Sequence, residues 1–91
     1  MNVRAHMFVS GKVQGVFFRQ HTRRQAVIHN VKGWIKNLSD GRVEAVFEGD
    51  ESAVKAMLEF CRVGPKGASV TAFSMDWEPL RYEFGSFNIV H

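Results

Sequence analysis

The chain has a single cysteine and no long apolar segment, and both features limit what it can be. Because Cys61 has no second cysteine to pair with, an internal disulfide is excluded, which agrees with a reducing compartment. No apolar run approaches the roughly 18 residues of a membrane span. Residues 1–9 also lack the apolar segment and cleavage site of a signal peptide. We therefore expect a cytoplasmic protein that does not bind membranes.

The chain also lacks linkers, internal repeats and low-complexity tracts. Its 91 residues are enough for one core shared by two layers of secondary structure, so we predict one domain spanning residues 1–91. The net charge of +3 favours anionic partners, but nine carboxylates are mixed among the twelve basic residues. This mixture indicates a preference for anions and is not typical of nucleic-acid binding.

The first half of the chain predicts a strand, a helix and a hairpin. Residues 4–10 alternate as a half-buried strand does, with Ala5, Met7 and Val9 on one face. Residues 19–29 contain no glycine or proline and suit a helix that Asn30 ends in a left-handed conformation. Two strands follow around the turn pair Asp40-Gly41, with three residues expected to face inward: Val43, Ala45 and Phe47.

The second half predicts another helix and two strands. Asp50 is a good N-cap and Gly64-Pro65 a good stop, and between them one apolar stripe has helical spacing: Val54, Met57, Leu58 and Cys61. Residues 70–78 and 82–90 read as strands, although Val70 and Phe73 can share a face only if a bulge separates them. The order βαββαβ with a final strand predicts an α+β, ferredoxin-like split βαβ sandwich: an antiparallel sheet with two helices on one face.

The stretch VSGKVQGVFFRQ, residues 9–20, joins the first strand to the first helix. The amides near Gly15 to Arg19 would have no strand or helix partner there, and the helix dipole adds positive potential. Gly15 leaves room for close approach, and Arg19 brings a planar charged fork suited to phosphate oxygens. Phosphate is the natural ligand of such a turn. Glycines and arginines in such positions are also common for structural reasons, so the spacing alone leaves the question open.

Other chemistry finds less support in the sequence. The chain has neither a Walker motif nor G-x-G-x-x-G, and its four histidines show no regular metal spacing, so we expect no metal site. Cys61 lies on the apolar stripe of the second helix and is expected in the core rather than as a nucleophile.

Two segments together resemble the signature sequences of the acylphosphatases. VSGKVQGVFFR, residues 9–19, contains Gly-x-Val-Gln-Gly-Val-x-Phe-Arg, and GWIKNLSDGRVEAVFEG, residues 33–49, contains Gly-aromatic-x-basic-Asn with a later Gly-x-Val. The resemblance extends over the whole chain. It implies a small, monomeric ferredoxin-like hydrolase that splits acyl phosphates into carboxylate and inorganic phosphate, without metal or cofactor.

The resemblance also implies the roles of individual residues. It assigns phosphoryl binding to Arg19 and orientation of the attacking water to Asn37. The backbone amides before the arginine would complete the phosphate cradle: Gln14, Gly15, Val16, Phe17 and Phe18. Inorganic phosphate, as the product, would bind there as an inhibitor.

These roles agree with the chemistry of the side chains. A carboxylate is a good leaving group, so the reaction mainly requires that the phosphoryl oxygens be held and a water be aligned behind phosphorus. An asparagine cannot act as a base, but its amide can orient water, and a phosphate oxygen can take the proton. We expect the strand that ends at Asn37 to lie beside the first strand, which would bring Asn37 to the Arg19 loop.

Two functions other than hydrolysis are compatible with the predicted fold, and both involve binding without turnover. A ferredoxin-like sheet with a basic surface can bind RNA, but the aromatic pattern of RNA-binding sheets is absent from the predicted central strands. The chain also resembles the amino-terminal module of hydrogenase-maturation carbamoyltransferases, which would bind carbamoyl phosphate. Because such proteins continue into further regions, the end of this chain at His91 favours a stand-alone enzyme.

Overall fold

The computed structural model describes all 91 residues and contains five strands and two helices. The predicted order is confirmed. The elements are β1 (Asn2–Lys12), α1 (Phe18–Ile28), β2 (Lys32–Asn37), β3 (Val43–Asp50), α2 (Glu51–Val63), β4 (Ser69–Glu78) and β5 (Phe87–Ile89). Neither helix has the length and apolar character that a membrane crossing requires.

The strands form one sheet in the order β4-β1-β3-β2-β5, with both helices packed on it. The predicted ferredoxin-like fold is confirmed, but two details of the sheet were wrong. The sheet is mixed, because β5 runs parallel to β2 while all other neighbours are antiparallel. In addition, β3 lies between β1 and β2, so the strand that ends at Asn37 is not beside the first strand.

The parallel pairing of β5 follows from the path of the chain after β4. β4 and β5 lie at opposite edges of the sheet, and residues 79–86 connect them. The chain crosses the end of the sheet at which β2 begins and therefore enters β5 in the same direction as β2. The strand predicted over 82–90 is shortened to Phe87–Ile89, because Tyr82 adopts a left-handed φ of 52° that extended strands do not have.

The core lies between the sheet and the two helices. The strand residues predicted to face inward are buried there, and α1 contributes Phe18, Thr22 and Ala26. The apolar stripe of α2 is buried as predicted, and full burial of each of its larger side chains contributes about 1.5–3 kcal/mol. This burial anchors both helices and so fixes the turn that precedes α1.

The ends of the helices also follow the predictions. Asn30 has a left-handed φ of 57°. The amide of Val31 donates to the carbonyl of Ala26 at 2.8 Å and that of Asn30 to the carbonyl of Val27 at 3.2 Å, which is a Schellman ending. Asp50 caps α2 by accepting from the amide of Ser52, and Gly64 ends the helix with a φ of 85°.

A bulge in β4 resolves the conflict between Val70 and Phe73. Ser10 pairs with Ala72 and Gly11 with Val70, so Thr71 is the extra residue. Val70, Phe73 and Met75 therefore all pack against the core. Trp77 is 51% exposed, because it lies near the end of this edge strand.

The sheet face opposite the helices carries a network of charges. Arg4 is 5% exposed and binds three carboxylates, those of Glu48, Glu78 and Glu83. His6, on the same strand, lies 2.6 Å from Glu44 and 2.9 Å from Glu78. Because Glu83 belongs to the segment that connects β4 with β5, the Arg4–Glu83 contact ties that segment to the centre of the sheet.

Candidate active site

The turn between β1 and α1 presents unpaired backbone donors. Residues 15–17 lie outside every helix and strand, and their amides donate none of the 11 backbone hydrogen bonds formed outside those elements. Gly15 has a φ of 74°, and a Cβ added there would meet no protein atom within 4 Å. The turn leads into the first turn of α1, whose amides are also without helical acceptors. The result is an open, electropositive concavity.

This turn forms one wall of a cavity of about 150 Å³. The cavity brings together two side chains that are far apart in sequence, Arg19 on α1 and Asn37 at the end of β2. Its lining contains all but one of the site residues predicted from the sequence: Gln14, Gly15, Phe17, Phe18, Arg19 and Asn37. Val13 and Gln20 complete the lining. Val16 packs its side chain against the core instead, and the role of its amide stays a prediction.

Arg19 lies in the first turn of α1 and is half-buried. No carboxylate is paired with its guanidinium, whereas Arg4, Arg42 and Arg62 each have one within ion-pair distance. The fork of Arg19 is therefore available to an anion in the cavity, in the geometry that suits two phosphate oxygens.

Asn37 has the only buried side-chain oxygen or nitrogen of the protein without a hydrogen-bond partner, its Oδ1 atom. A buried acceptor left unpaired costs roughly 1–3 kcal/mol. Proteins rarely retain such a group unless a ligand or a water supplies the missing donor. Because Asn37 lines the same cavity as Arg19, a water molecule held by its side-chain amide would lie beside an anion held by the arginine.

The side chain of Gln14 explains how Asn37 reaches the turn although β2 is not beside β1. Its Nε2 atom donates to the carbonyl oxygen of Leu38 at 2.8 Å and to that of Arg42 at 2.9 Å. These carbonyls belong to the β2–β3 hairpin, directly after Asn37. The family resemblance implies only a backbone role for Gln14, and this side-chain bridge was not predicted. A glutamine amide in an otherwise apolar turn was the signal that could have indicated it.

The hairpin is itself held by local hydrogen bonds. The amide of Leu38 donates to Arg42 at 2.8 Å, and the amide of Gly41 donates to Leu38 at 3.1 Å. The backbone amide of Arg42, together with its guanidinium, donates to Asp40 and lowers the pKa of that carboxyl. The hairpin therefore offers the Gln14 amide two fixed acceptors.

Two other side chains with possible chemical roles, those of His21 and Cys61, do not line this cavity. His21, the histidine nearest to Arg19 in sequence, does not line it. Cys61 is buried between the helices and the sheet, and burial raises the pKa of its thiol to about 12. A thiol with this pKa is not a nucleophile at neutral pH. No three His, Cys, Asp or Glu side chains are grouped in a way that could hold a metal ion.

Comparison with known proteins agrees with this geometry. The family model described as acylphosphatase matches residues 5–89. The acylphosphatase of Pyrobaculum islandicum is 52% identical, with 98% of this chain and 95% of the relative covered. That of Chloroflexus aurantiacus is also 52% identical, with 97% and 96% covered. The crystal structure of acylphosphatase from Bacillus subtilis superimposes with a TM-score of 0.92 at 34% identity, covering 98% of this chain and 99% of that one.

Proposed function

The chain belongs to the acylphosphatase family and is a hydrolase, and we propose that it cleaves small acyl phosphates by direct attack of water, with Arg19 and Asn37 at the centre of the reaction. Relatives of nearly the same length are named as enzymes, which supports turnover over a module that only binds phosphate or RNA. The single observation that carries the proposed mechanism is the cavity that Arg19 and Asn37 line together, with the buried Oδ1 of Asn37 left without a hydrogen-bond partner.

The phosphoryl group binds in the concavity of the β1–α1 turn. The guanidinium of Arg19 holds two of its oxygens, and the amides of residues 14–18 and the amino-terminal end of α1 hold the others. Negative charge on these oxygens is spread in a loose transition state, so fixed donors that need no rearrangement stabilise it. This phosphate-binding loop also binds the product, and inorganic phosphate is therefore an inhibitor.

Water attacks phosphorus from the side opposite the acyl oxygen. The Oδ1 atom of Asn37 accepts a hydrogen bond from this water and directs an oxygen lone pair at phosphorus. A bond forms between the water oxygen and phosphorus, the bond to the acyl oxygen breaks, and the electron pair leaves with the carboxylate. The proton of the water passes to a phosphate oxygen, because asparagine cannot take it.

The remaining parts of the proposal follow from the same groups. Donors from the backbone and from Arg19 already supply the positive potential, so we propose a reaction that requires neither metal nor cofactor. We further propose that residues 1–91 act as one monomeric cytoplasmic domain, and that neither nucleic acid nor membrane is a partner.

The experiment that tests this function is hydrolysis of benzoyl phosphate by the purified protein in excess EDTA. We expect release of inorganic phosphate at a rate that EDTA leaves unchanged and that Mg²⁺ or Zn²⁺ does not raise. Absence of turnover would overturn the function, and a strict metal requirement would overturn the proposed site.

A further inference from the structure

We propose that Phe17 recognises the acyl group, so that the enzyme prefers acyl phosphates whose acyl group is apolar or aromatic and large enough to reach the phenyl ring. This inference rests on the proposed function and adds the substrate class. In the motif that the chain shares with the acylphosphatases, Phe17 occupies the unspecified position before the phenylalanine-arginine pair.

Phe17 is in an unfavourable place for a phenylalanine. Its φ of 59° is left-handed, a conformation that bulky residues rarely adopt. It stands at the N-cap of α1, where Ser, Thr, Asp or Asn would accept a helical amide, and its side chain makes no capping hydrogen bond. Phe17 is 70% exposed, whereas the next residue, Phe18, is 1% exposed and lies in the core.

The packing of the protein itself therefore gives no reason for a phenyl ring at this position. Glycine would fit the backbone, and asparagine would fit both the backbone and the cap. What Phe17 does provide is an exposed apolar side chain on a residue that lines the cavity together with Arg19 and Asn37. A contact with substrate accounts for a side chain that folding alone would not select.

The size of the cavity places the acyl group next to this ring. At about 150 Å³ it matches a cavity that accommodates one benzene molecule in another protein, so it cannot enclose a phosphoryl group together with a large acyl group. With the phosphoryl group on the turn amides and Arg19, the acyl group must project from the opening. Among the lining residues only Phe17 and Gln20 have exposed side chains, and only Phe17 offers an apolar one.

The expected effect is a change in selectivity. An aromatic contact of this kind changes the rate constant by roughly two- to tenfold. A benzoyl group can lie over the ring, while an acetyl group is too short to make the same contact. The ratio of kcat/KM for benzoyl phosphate to kcat/KM for acetyl phosphate therefore measures the contribution of the ring, because any effect on the phosphate cradle cancels between the two substrates.

The test compares this ratio in the wild type, Phe17→Gly and Phe17→Tyr. Glycine keeps the backbone amide and accepts the left-handed φ but removes the ring, and tyrosine keeps the ring. We expect Phe17→Gly to lower the ratio by roughly two- to tenfold and Phe17→Tyr to preserve it. Thermal melts establish that each variant is folded, and Phe17→Asn, which also tolerates a positive φ, replaces a glycine variant that does not fold.

An unchanged ratio in Phe17→Gly would overturn the inference. This includes the case in which kcat/KM falls by the same factor for both substrates, because Phe17 would then only shape the turn. Failure of the proposed function is a separate result. It would be seen as a wild-type protein that hydrolyses neither substrate.

Discussion

At the scale of single residues, Arg19 is the side chain on which phosphoryl binding most depends. Arg19→Ala removes a bidentate charged partner in both the ground state and the transition state, so kcat/KM should fall by roughly 10²-fold or more and inhibition by inorganic phosphate should weaken. Arg19→Lys keeps the charge but not the fork and should remain a poor enzyme. Steady-state kinetics with phosphate inhibition measure both effects.

The matched control for this prediction is Arg24→Ala, which removes an arginine from the same helix but outside the cavity. It should leave kcat/KM within about twofold, since a solvated charge at that distance is screened. Undiminished phosphate inhibition in Arg19→Ala would assign phosphate binding to other groups.

Asn37 differs from Arg19 because its predicted role is to position water rather than to bind phosphate. Asn37→Ala should lower kcat by roughly 10²–10³-fold, the size of effect seen when one transition-state hydrogen bond is lost, while phosphate inhibition changes little. Since the buried Oδ1 has no partner within the protein, its removal should not lower the melting temperature. Kinetics and thermal melts on the same preparation measure both quantities.

Asn88→Ala, an exposed asparagine on β5, is the control for Asn37→Ala. A variant at position 37 that is destabilised but still active would remove Asn37 from the mechanism and make it a residue of structural importance only.

At the scale of elements, the bridge from Gln14 to the β2–β3 hairpin determines where Asn37 stands relative to Arg19. Gln14→Ala loses both hydrogen bonds, and Gln14→Glu keeps the shape but replaces the donor with an acceptor that faces two carbonyl oxygens. Both variants should lower kcat by about tenfold or more, with a smaller change in phosphate inhibition, because Arg19 and the turn amides remain. Equal losses in kcat and phosphate affinity would show that the bridge supports the cradle rather than the alignment of water.

The elements that could be predicted are those whose signals are local. The alternation of β1, the apolar stripe of α2 and the stops at Asn30 and Gly64 each depend on residues within one element, and the structure confirms them. The direction and length of β5 depend on the path that residues 79–86 take across the sheet. No local pattern encodes that path.

Some features of the candidate site could likewise be predicted from the sequence, and others could not. Backbone and charge patterns pointed to Gly15 and Arg19, and the family resemblance added Asn37 and the other amides of the turn. The Gln14 bridge spans 24 and 28 residues, and the exposure of Phe17 beside a buried Phe18 depends on where α1 packs. Both features require the tertiary structure.

At the scale of the whole molecule, the charge network on the open sheet face should make stability depend on pH. Hydrogen bonds from Arg4 and then His6 lower the pKa of Glu78 below its ordinary value of 4.5. A carboxyl with a lowered pKa in the folded state stabilises the protein above pH 4.5, and this stabilisation is lost as the pH falls through the folded-state pKa. Glu78→Gln should therefore cost about 1–2 kcal/mol at pH 7 and little in strong acid.

Urea unfolding of the wild type and Glu78→Gln at pH 7 and at pH 3 measures this difference. Asp76→Asn, an exposed carboxylate two residues earlier on β4, is the control and should have little effect at either pH. A Glu78→Gln penalty that is the same at both pH values would contradict an electrostatic origin.

The burial of Cys61 means that its reaction with an alkylating reagent reports how often the helices separate from the sheet. Its sulfur lies beneath α2 with no accessible surface, 3.8 Å from the hydroxyl of Thr22 on α1. An alkylating reagent can reach it only in molecules whose helices have separated from the sheet. Because the chain has no other thiol, the rate of labelling depends only on this opening. It can be measured in the unmodified protein and during turnover. Occupation of the phosphate loop should slow the labelling to the extent that ligand binding stabilises the folded state.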